Sequence, residues 1–569
     1  MIRLRNHLVV ILIMLLISAL VFAAGCGPEA EPDQPDTEAE APDETEEEAD
    51  EPEPEPEMTR GPMTWSTRGD PVWLNPVLER SGGDIRTNRL MFDRLFVLDE
   101  DAMPEPQLAA DYEVSAGGLE YTVNLVDAKW HDGTQLTAHD VVFTYRLHLD
   151  PSVPSRYESD LWALVGAEAI LDGEADFDDY EPVIALSDST VLFRLSEPYV
   201  PFVPTALTLG IVPKHLLEDC DDITECEFNQ QPIGSGPLKF VYWERDDHLQ
   251  FEGFEDYHQG TPGITDFTLR VIPDATVQIM ELETESIHGF VLATKDAYDH
   301  FYERPGFQVF SRPSFGYSTL AFVNDHPLWE DVRVRKAIAY ATNREEAVRE
   351  YVGLELGQLA WTPIPPISWA HNPNLEPLPY DPEKAMELLN DAGWHKDSAG
   401  VLRNEAGEPF EFAFETFRAV ERSFMNVIFQ ENLRELGIQA SVSEMAAADL
   451  LYKMHEAKYP DVTFITWGMS PDPDGEMWRR FHSSEKDWNN FWNYSNDRVD
   501  ELLEKARRET DTDLRRDYYF EIQEILLEDM PGVTVFWRND VTGFTDSVRG
   551  LRFGANGWKD FVHQVWIDQ

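Results

Sequence analysis

The chain has 569 residues, of which 42% are hydrophobic and 12% aromatic, so it has room for two or three globular domains. Its formal net charge of −62 gives a surface that repels phosphate groups and anionic lipid head groups. This charge excludes nucleic acid as a partner.

The N-terminus has the layout of an export signal, in which basic residues precede an apolar run. Arg3 and Arg5 stand before the apolar residues 8–24, and the sequence AAGC occupies 23–26. This sequence resembles the lipobox of bacterial lipoproteins, which predicts a lipoprotein signal peptide over 1–25 and lipidation of Cys26. The apolar run is also long enough to remain in the membrane as an uncleaved anchor. Either alternative tethers the protein to the outer face of a membrane.

An acidic segment follows the signal. Residues 29–57 contain sixteen acidic residues and no basic residue. Such a segment does not bury enough surface to offset the entropy lost on ordering, and its like charges keep it extended. We therefore predict a disordered acidic tether over 26–60. The excess of acidic residues continues along the rest of the chain, which favours a habitat of high external salt or high pH.

Two His-Asp pairs in the stretch KWHDGTQLTAHDVVFTYR, at 129–146, raise the question of a metal or acid–base site. An Asp-Gly turn follows the first His, and Thr137 and Asp140 have the spacing of a helix capping box. Metal ligation by His131 and His139 needs further ligands, and no HExxH or similar pattern supplies them. We therefore predict that the stretch is structural.

The next segments carry no catalytic signature either. Cys220 and Cys226 lie close together in an acidic, loop-like stretch, which favours a local disulfide over a zinc site in an exported protein. The sequence PIGSGPL at 232–238 is interpreted as a tight backbone turn that enters a strand. No GxSxG elbow, Walker loop or GxGxxG sequence occurs. The sequence thus predicts no catalytic residue, no cofactor and no metal.

Hydrophobic patterns predict an α/β protein. Residues 119–126 and 190–196 alternate apolar and polar side chains, as half-buried strands do. Helical patterns are found at 332–352, at 381–394 with the start Asp381-Pro382 and an end at Gly393, at 422–445 with an end at Gly437 before a strand, and at 496–530 as a helix pair.

Five long stretches resemble the extracytoplasmic solute-binding proteins of the peptide/nickel ABC-transporter family, the oligopeptide- and dipeptide-binding type. They begin with EYTVNLVDAKWHDGTQLTAHDVVFTYR at 120–146 and PIGSGPLKFVYWERDDHLQFEGFEDYHQGTPGITDFTLRVIPDA at 232–275. They continue with LAFVNDHPLWEDVRVRKAIAYATNRE at 320–345 and YDPEKAMELLNDAGW at 380–394, and end with the helical block at 493–536. The resemblance runs from about residue 62 to the end of the chain.

The resemblance implies a bilobal, periplasmic-binding-protein-like fold with two α/β lobes joined by hinge strands. Lobe I is expected over 61–315, with 535–569 returning to it, and lobe II over 316–534. It also implies a non-enzymatic monomer that closes around an oligopeptide and delivers it to an ABC-transporter permease. The protein then works on the outer, periplasmic or extracellular side of the cytoplasmic membrane.

The resemblance also places ligand contacts. In relatives a carboxylate just after a Trp in lobe II takes the peptide's ammonium, and the matching segment here is ITWGMSPDPDGEMW at 465–478. Ser470 stands where the family has Asp, so either Asp472 takes the role after a shift or no ammonium is bound there. The residues predicted to bind ligand are Ser81, Gly82 and Gly83 in lobe I, and Tyr317, Arg418, Trp467, Gly468, Met469, Ser470 and Asp472 in lobe II.

Three other functions remain open from the sequence. An oligosaccharide as cargo fits the Ser at 470, because sugar sites use aromatic and neutral polar groups. Nickel uptake is less supported, because no His cluster marks the expected cleft. Metal-dependent hydrolysis through His131 and His139 is the least supported alternative.

Overall fold

The computed structural model describes residues 60–353, 355–417, 420–446, 449–450, 453–454, 461–487 and 489–568. The predicted signal peptide, Cys26, the acidic tether and Arg418 lie outside the described residues. Within the described ranges, no helix combines the length and the apolar character needed to cross a membrane.

The strands, numbered in chain order, are β1 Gly61–Thr67, β2 Phe96–Leu98, β3 Pro104–Pro106, β4 Ala109–Val114, β5 Glu120–Leu125, β6 Val183–Ser187, β7 Thr190–Arg194, β8 Leu238–Glu244, β9 His248–Gly253, β10 Ile264–Val271, β11 Gly289–Val291, β12 Phe307–Ala321, β13 Gly357–Leu359, β14 His395–Lys396, β15 Leu402–Arg403, β16 Glu411–Phe417, β17 Gln439–Met445, β18 Val462–Gly468, β19 Gly532–Thr545, β20 Val548–Arg549 and β21 Trp566–Ile567.

The α-helices are α1 Gly82–Met91, α2 Ala138–Leu149, α3 Ala167–Leu171, α4 Phe177–Tyr180, α5 Phe202–Thr205, α6 Lys214–Leu217, α7 Ala275–Glu283, α8 Lys295–Phe301, α9 Val332–Ala341, α10 Arg344–Ala347, α11 Pro382–Asp391, α12 Val420–Glu435, α13 Asp474–Phe481, α14 Asp497–Arg508 and α15 Thr512–Asp529. A π-helical turn spans Val348–Val352, and 3₁₀ turns span Glu158–Asp160, Ala206–Thr208, Ile223–Glu225, Glu227–Asn229, Ser483–Glu485 and Trp558–Gln564.

Two long antiparallel strands hold the main sheet together. The sheet has the order β17-β16-β18-β12-β19-β11-β1-β10-β9-β8, with β13 paired to β19 outside this path. One end of β12 pairs only with β19, and the other end also pairs with β18. The register of β12 and β19 shifts between Pro313 and Tyr317. The two strands therefore connect the early strands of the chain with the late ones through an irregular middle.

The strands predicted from alternation are confirmed. β5 and β7 pair antiparallel in a separate sheet of order β4-β5-β7-β6. Tyr121, Val123 and Phe193 point their apolar side chains into the core, while the residues between them are more exposed. This is the arrangement that a sheet covered on one face produces.

Helix ends follow their capping residues. Asp381 caps α11 by accepting a hydrogen bond from the Lys384 backbone N–H at 2.9 Å. Gly393 and Gly437 adopt positive φ just after their helices, as predicted. The segment 332–352 is not one helix, however. It breaks after α9, and the Asn343 side chain caps the next turn by accepting from the Glu346 backbone N–H.

Four apolar cores lie under these elements. One lies within residues 95–211, a second combines residues before 270 with the C-terminal tail from 544 onward, and two contain residues between 315 and 541. One of the later cores also includes Ile287–Phe301, so no break in packing marks residue 315. The lobe bounds given above stay a prediction.

Candidate ligand-binding site

The N-terminus of α1 is a tightly organised loop. Ser81 caps the helix by accepting from the Asp84 backbone N–H at 3.1 Å, and the buried Asp84 carboxylate accepts from the backbone N–H groups of Ser81, Arg80 and Val72. This capping box follows from the spacing of Ser and Asp in the motif RSGGD. It fixes the course of the predicted contact residues Ser81, Gly82 and Gly83.

Gly82 leaves room for a guanidinium group. A Cβ atom at Gly82 would lie 3.1 Å from Nη1 of Arg86, one turn further along α1. A side chain there would force the guanidinium to move, because contacts this short are rare. Gly82 therefore lies beside the side chain of Arg86, which the sequence analysis did not single out.

The predicted lobe II residues meet along two paired strands. In the β12–β18 pair, Gly316 stands opposite Gly468 and Tyr317 opposite Trp467. The backbone N–H of Met469 donates to the carbonyl oxygen of Phe315 at 3.0 Å. Gly468 is exposed and Trp467 half-buried, whereas Met469 is buried. Among these predicted lobe II residues, Trp467 and Gly468 are therefore the ones that reach solvent on the β12–β18 pair.

A buried network orients the Trp467 ring. The Arg480 guanidinium carbon lies 3.8 Å from the centre of that ring, and the Phe491 ring stacks with it at 5.5 Å. Arg480 in turn donates to Glu476, which also accepts from the Tyr317 hydroxyl at 3.1 Å. Burial and the Glu476 charge raise the pKa of Tyr317 well above its usual value. Tyr317 is completely buried and holds this network in place.

The two groups of predicted residues approach each other at β19. A Cβ atom at Gly316 would lie 3.5 Å from Cβ of Arg538 and 3.7 Å from the Trp467 carbonyl oxygen. Desolvation lowers the pKa of Arg86; the nearby Asp540 charge opposes this change, and Arg538 adds to it. The charges of Arg538 and Asp540 on β19 therefore act on Arg86. The site is thus built from α1, β18 and β19.

Asp472 is engaged in an ion pair. Its two carboxylate oxygens accept from Arg515 at 2.5 and 2.8 Å, and both side chains are buried. Ser470 is half-buried at the start of this turn. The ammonium-binding role of Asp472 stays a prediction, and its charge is already balanced within the protein.

Polar contacts join the segment near residue 197 to two helices late in the chain. Arg508 donates two hydrogen bonds to Glu197, from Nε at 2.6 Å and from Nη2 at 3.0 Å. The Tyr199 hydroxyl lies 3.3 Å from the buried carboxylate of Asp474, which pairs with Arg507. These contacts connect residues near 197 with the helices α13 and α14.

In the two His-Asp pairs, His131 and Asp140 have backbone partners, which favours the structural interpretation. His131 Nδ1 accepts from the Gly234 backbone N–H at 3.1 Å, and Nε2 lies 2.8 Å from the Gly236 carbonyl oxygen. Burial lowers the pKa of His131 to about 3, so the ring is neutral. Asp140 accepts from the backbone N–H groups of Thr137 and Lys214. The turn at 232–238 thus serves as a backbone partner of His131.

The glycines of that turn allow two backbones to approach. A Cβ atom at Gly234 would lie 1.9 Å from the Met91 carbonyl oxygen, which no other residue tolerates. Cys220 and Cys226 form a disulfide in the preceding loop.

Sequence reasoning missed two basic residues near the site, Arg86 and Arg538. They belong to no motif and are separated by hundreds of residues. The glycine pair at 82 and 83 was the signal nearest to them, since it pointed to a close approach at α1.

The fold and this site define an α/β binding protein with two lobes. The oligopeptide-binding protein AppA of Bacillus subtilis, solved in complex with a nonapeptide, matches with a TM-score of 0.78 at 26% identity, over 90% of this chain and 100% of that chain. NikZ of Campylobacter jejuni, solved with Ni(L-His), matches with a TM-score of 0.74 at 26% identity, over 89% and 99%. Structures of this type are bilobal periplasmic binding proteins, which confirms the predicted fold class.

Sequence comparison gives the family. Residues 103–488 match the model for bacterial extracellular solute-binding proteins, family 5. The AppA sequence of Bacillus subtilis (strain 168) is 27% identical over 518 residues, which are 89% of this chain and 92% of that protein. The chain belongs to family 5 of the bacterial extracellular solute-binding proteins, as the resemblance indicated.

Proposed function

We propose that this protein captures oligopeptides between two lobes and delivers them to an ABC-transporter permease. The main support is the convergence of α1, β18 and β19 on one site beside the irregular middle of β12. AppA of Bacillus subtilis, which resembles the chain over nearly its full length, was solved with a nonapeptide. Lobe I comprises 61–315 and 535–569, lobe II comprises 316–534, and β12 and β19 are the hinge strands.

Six of the predicted residues are the ligand-binding residues in this proposal. Ser81, Gly82 and Gly83 border the cleft from lobe I, and Trp467, Gly468 and Ser470 border it from lobe II. A peptide binds there by pairing its backbone with exposed backbone groups, as an added strand does. Tyr317, Met469 and Asp472 support these contacts from behind, through their partners Glu476, Phe315 and Arg515.

The protein acts as a tethered monomer and not as an enzyme. Lipid attached to Cys26 holds it on the outer face of the cytoplasmic membrane, and residues 26–60 are the acidic tether. His131 supplies no catalysis in this account, because both ring nitrogens have backbone partners.

An oligosaccharide is the second candidate cargo, and one observation favours it. In the segment after Trp467, the carboxylates of Asp472, Asp474 and Glu476 pair with Arg515, Arg507 and Arg480. The carboxylates that could bind the ammonium group of a peptide are therefore already neutralised by arginines, which suits a neutral cargo.

Native mass spectrometry of the purified protein identifies the cargo directly. A peptide mass that is retained in the gas phase and released on denaturation supports the proposal. Thermal-shift titration with a peptide library and with an oligosaccharide library then compares the two candidates, because a bound ligand stabilises the folded protein by an amount that grows with the logarithm of its concentration relative to Kd. Stabilisation by sugars alone contradicts the peptide assignment. Hydrolysis of the added peptides contradicts the non-enzymatic role.

A further inference from the structure

The tip of the β8–β9 hairpin brings together three side chains of the kinds that bind metal ions. Glu244, Asp247 and His248 each offer one ligand atom, and these atoms all lie within 4.8 Å of one another. Nδ1 of His248 lies 2.8 Å from a carboxylate oxygen of Asp247. It is the one group of this kind in the part of the chain that the structure describes. We call these three residues the hairpin-tip cluster.

Backbone pairing places the three side chains together. Glu244 ends β8 and His248 begins β9, and the two residues stand opposite each other in the strand pair, where side chains are close neighbours. In the tight turn between them, Asp246 adopts a positive φ of 60° and the Asp247 backbone N–H donates to the Glu244 carbonyl oxygen at 3.2 Å. No familiar metal-binding motif spans 244–248, which is why the sequence predicted no metal.

Hydrogen bonds from other segments hold this turn. The Asp70 carboxylate accepts from the indole N–H of Trp243 at 2.8 Å and from the Asp246 backbone N–H at 2.7 Å. The Asp247 carbonyl oxygen accepts from the backbone N–H of Val271, at the end of β10, at 2.7 Å. These contacts fix the backbone of the cluster before any ligand arrives, as a binding site requires.

Tyr242 provides the imidazole with a partner on its other side. Its hydroxyl lies 2.8 Å from Nε2 of His248, and the two rings meet edge to face with their centres 5.2 Å apart. Metal-binding histidines usually have their second nitrogen hydrogen-bonded in this way, which fixes the tautomer. When Nε2–H donates to the tyrosine oxygen, the Nδ1 lone pair faces the Asp247 carboxylate. Two electron-rich atoms this close repel each other unless a proton or a metal ion lies between them.

No arginine or lysine neutralises the two carboxylates. Within the described residues, Asp247 has an ion pair only with His248, and Glu244 has none. Arg245, the nearest basic residue in sequence, is directed elsewhere. Its guanidinium carbon lies 3.3 Å from the ring centre of Trp243, and Nη2 donates to Gln230 at 2.8 Å. Both acidic side chains are therefore available to a cation.

The hairpin-tip cluster is separate from the proposed peptide site. β8 is an edge strand of the main sheet, and β9, β10, β1 and β11 stand between it and β19. A metal ion bound at this edge is not the cargo held between the lobes. Three protein ligands also leave coordination positions that water can fill.

We propose that the hairpin-tip cluster binds a divalent first-row transition-metal ion through Nδ1 of His248 and one carboxylate oxygen each of Glu244 and Asp247. The mixed imidazole and carboxylate donor set suits zinc or nickel better than calcium, which takes oxygen ligands alone. The ion occupies the place of the proton between His248 and Asp247, and water completes its coordination. By joining the end of β8 to the start of β9, it stabilises the edge of the main sheet.

Isothermal titration calorimetry with zinc chloride tests the site on the chain purified without a polyhistidine tag. The variants are Glu244→Gln, His248→Gln and Tyr242→Phe, all at exposed or half-buried positions, where substitution preserves the fold. His139→Gln is the matched control, because His139 lies 3.7 Å from Asp188 in an exposed pair without a third ligand. Zinc binding by other surface carboxylates is common to all five proteins.

Zinc should bind the wild type and the control with equal affinity. Its affinity should fall about 10- to 100-fold in Tyr242→Phe, which removes the support of the imidazole, and at least as much in Glu244→Gln and His248→Gln. These variants should also lose the rise in melting temperature that zinc gives the wild type, since an ion bound to the folded state stabilises it. Equal zinc affinity in the wild type and His248→Gln overturns the proposal, and so does a wild type that binds no zinc.

Anomalous diffraction from crystals grown with zinc chloride locates the ion directly. A peak between the side chains of Glu244, Asp247 and His248 supports the proposal, whereas zinc found only elsewhere, including between the lobes, overturns it. Calcium chloride is the comparison salt in the same titrations. Calcium that binds the cluster more tightly than zinc overturns the assignment of a transition-metal ion.

Discussion

The ion pair between Glu197 and Arg508 offers a quantitative test of lobe closure. It joins a residue of proposed lobe I to one of proposed lobe II through two hydrogen bonds of 2.6 and 3.0 Å. The side chains are 30% and 49% exposed, so solvent screens the pair and its contribution is about 0.5–1 kcal/mol. If peptide binds only the closed form, Glu197→Gln should weaken affinity about two- to fivefold.

Calorimetric titration of Glu197→Gln, Arg508→Gln and the double variant measures the coupling between the two side chains. Glu387→Gln is the matched control, because it removes the same charge from a pair within α11. The losses of binding free energy in the two single variants should not add up in the double variant. The coupling energy between the two side chains should fall with added salt. Additive losses, or affinity equal to that of the control, would refute the assignment of this pair to closure.

Three further substitutions test the roles of buried polar groups. Lys559→Met should raise the free energy of unfolding below pH 7, because the buried ammonium is unfavourable there, and the difference from wild type should shrink as pH rises above its pKa of about 7. Asp472→Asn should lower the free energy of unfolding by about 3 kcal/mol or more, because Arg515 stays buried without its counter-charge. His131→Ala should lower it by about 2–4 kcal/mol and leave peptide affinity unchanged.

Urea denaturation measures all three, and each has an outcome that contradicts its reasoning. For Lys559→Met, the folded protein has the lowered pKa, so the unfolded chain binds more protons above pH 7 and stability of the wild type rises with pH. This reasoning is contradicted if the difference in the free energy of unfolding between Lys559→Met and the wild type does not change with pH. If Asp472→Asn is as stable as the wild type, the burial of Arg515 does not require the Asp472 carboxylate as its counter-charge. Loss of binding in a folded His131→Ala protein would reopen the enzymatic alternative.

Local structure was largely predictable because its causes are close together in sequence. The capping residues Asp381 and Gly393 lie within one helix length of each other, and the alternation in β5 is visible in six residues. The break after α9 was missed, because the apolar spacing continues through Thr342 while the Asn343 cap starts a new turn.

The electrostatics of the site were not predictable, because the partners are distant in sequence. Asp472 pairs with Arg515, which lies 43 residues away on helix α15. The Lys559 ammonium faces rings of Trp65 and Trp558 and the charge of Arg86. Only the folded chain shows which carboxylates are neutralised and which cations are not.

Small-angle X-ray scattering, with and without the peptide recovered by native mass spectrometry, tests lobe closure most directly. We expect the radius of gyration to fall when the peptide saturates the wild type, and to fall less for Glu197→Gln at the same peptide concentration. A radius of gyration that does not change at saturation would contradict capture between two lobes.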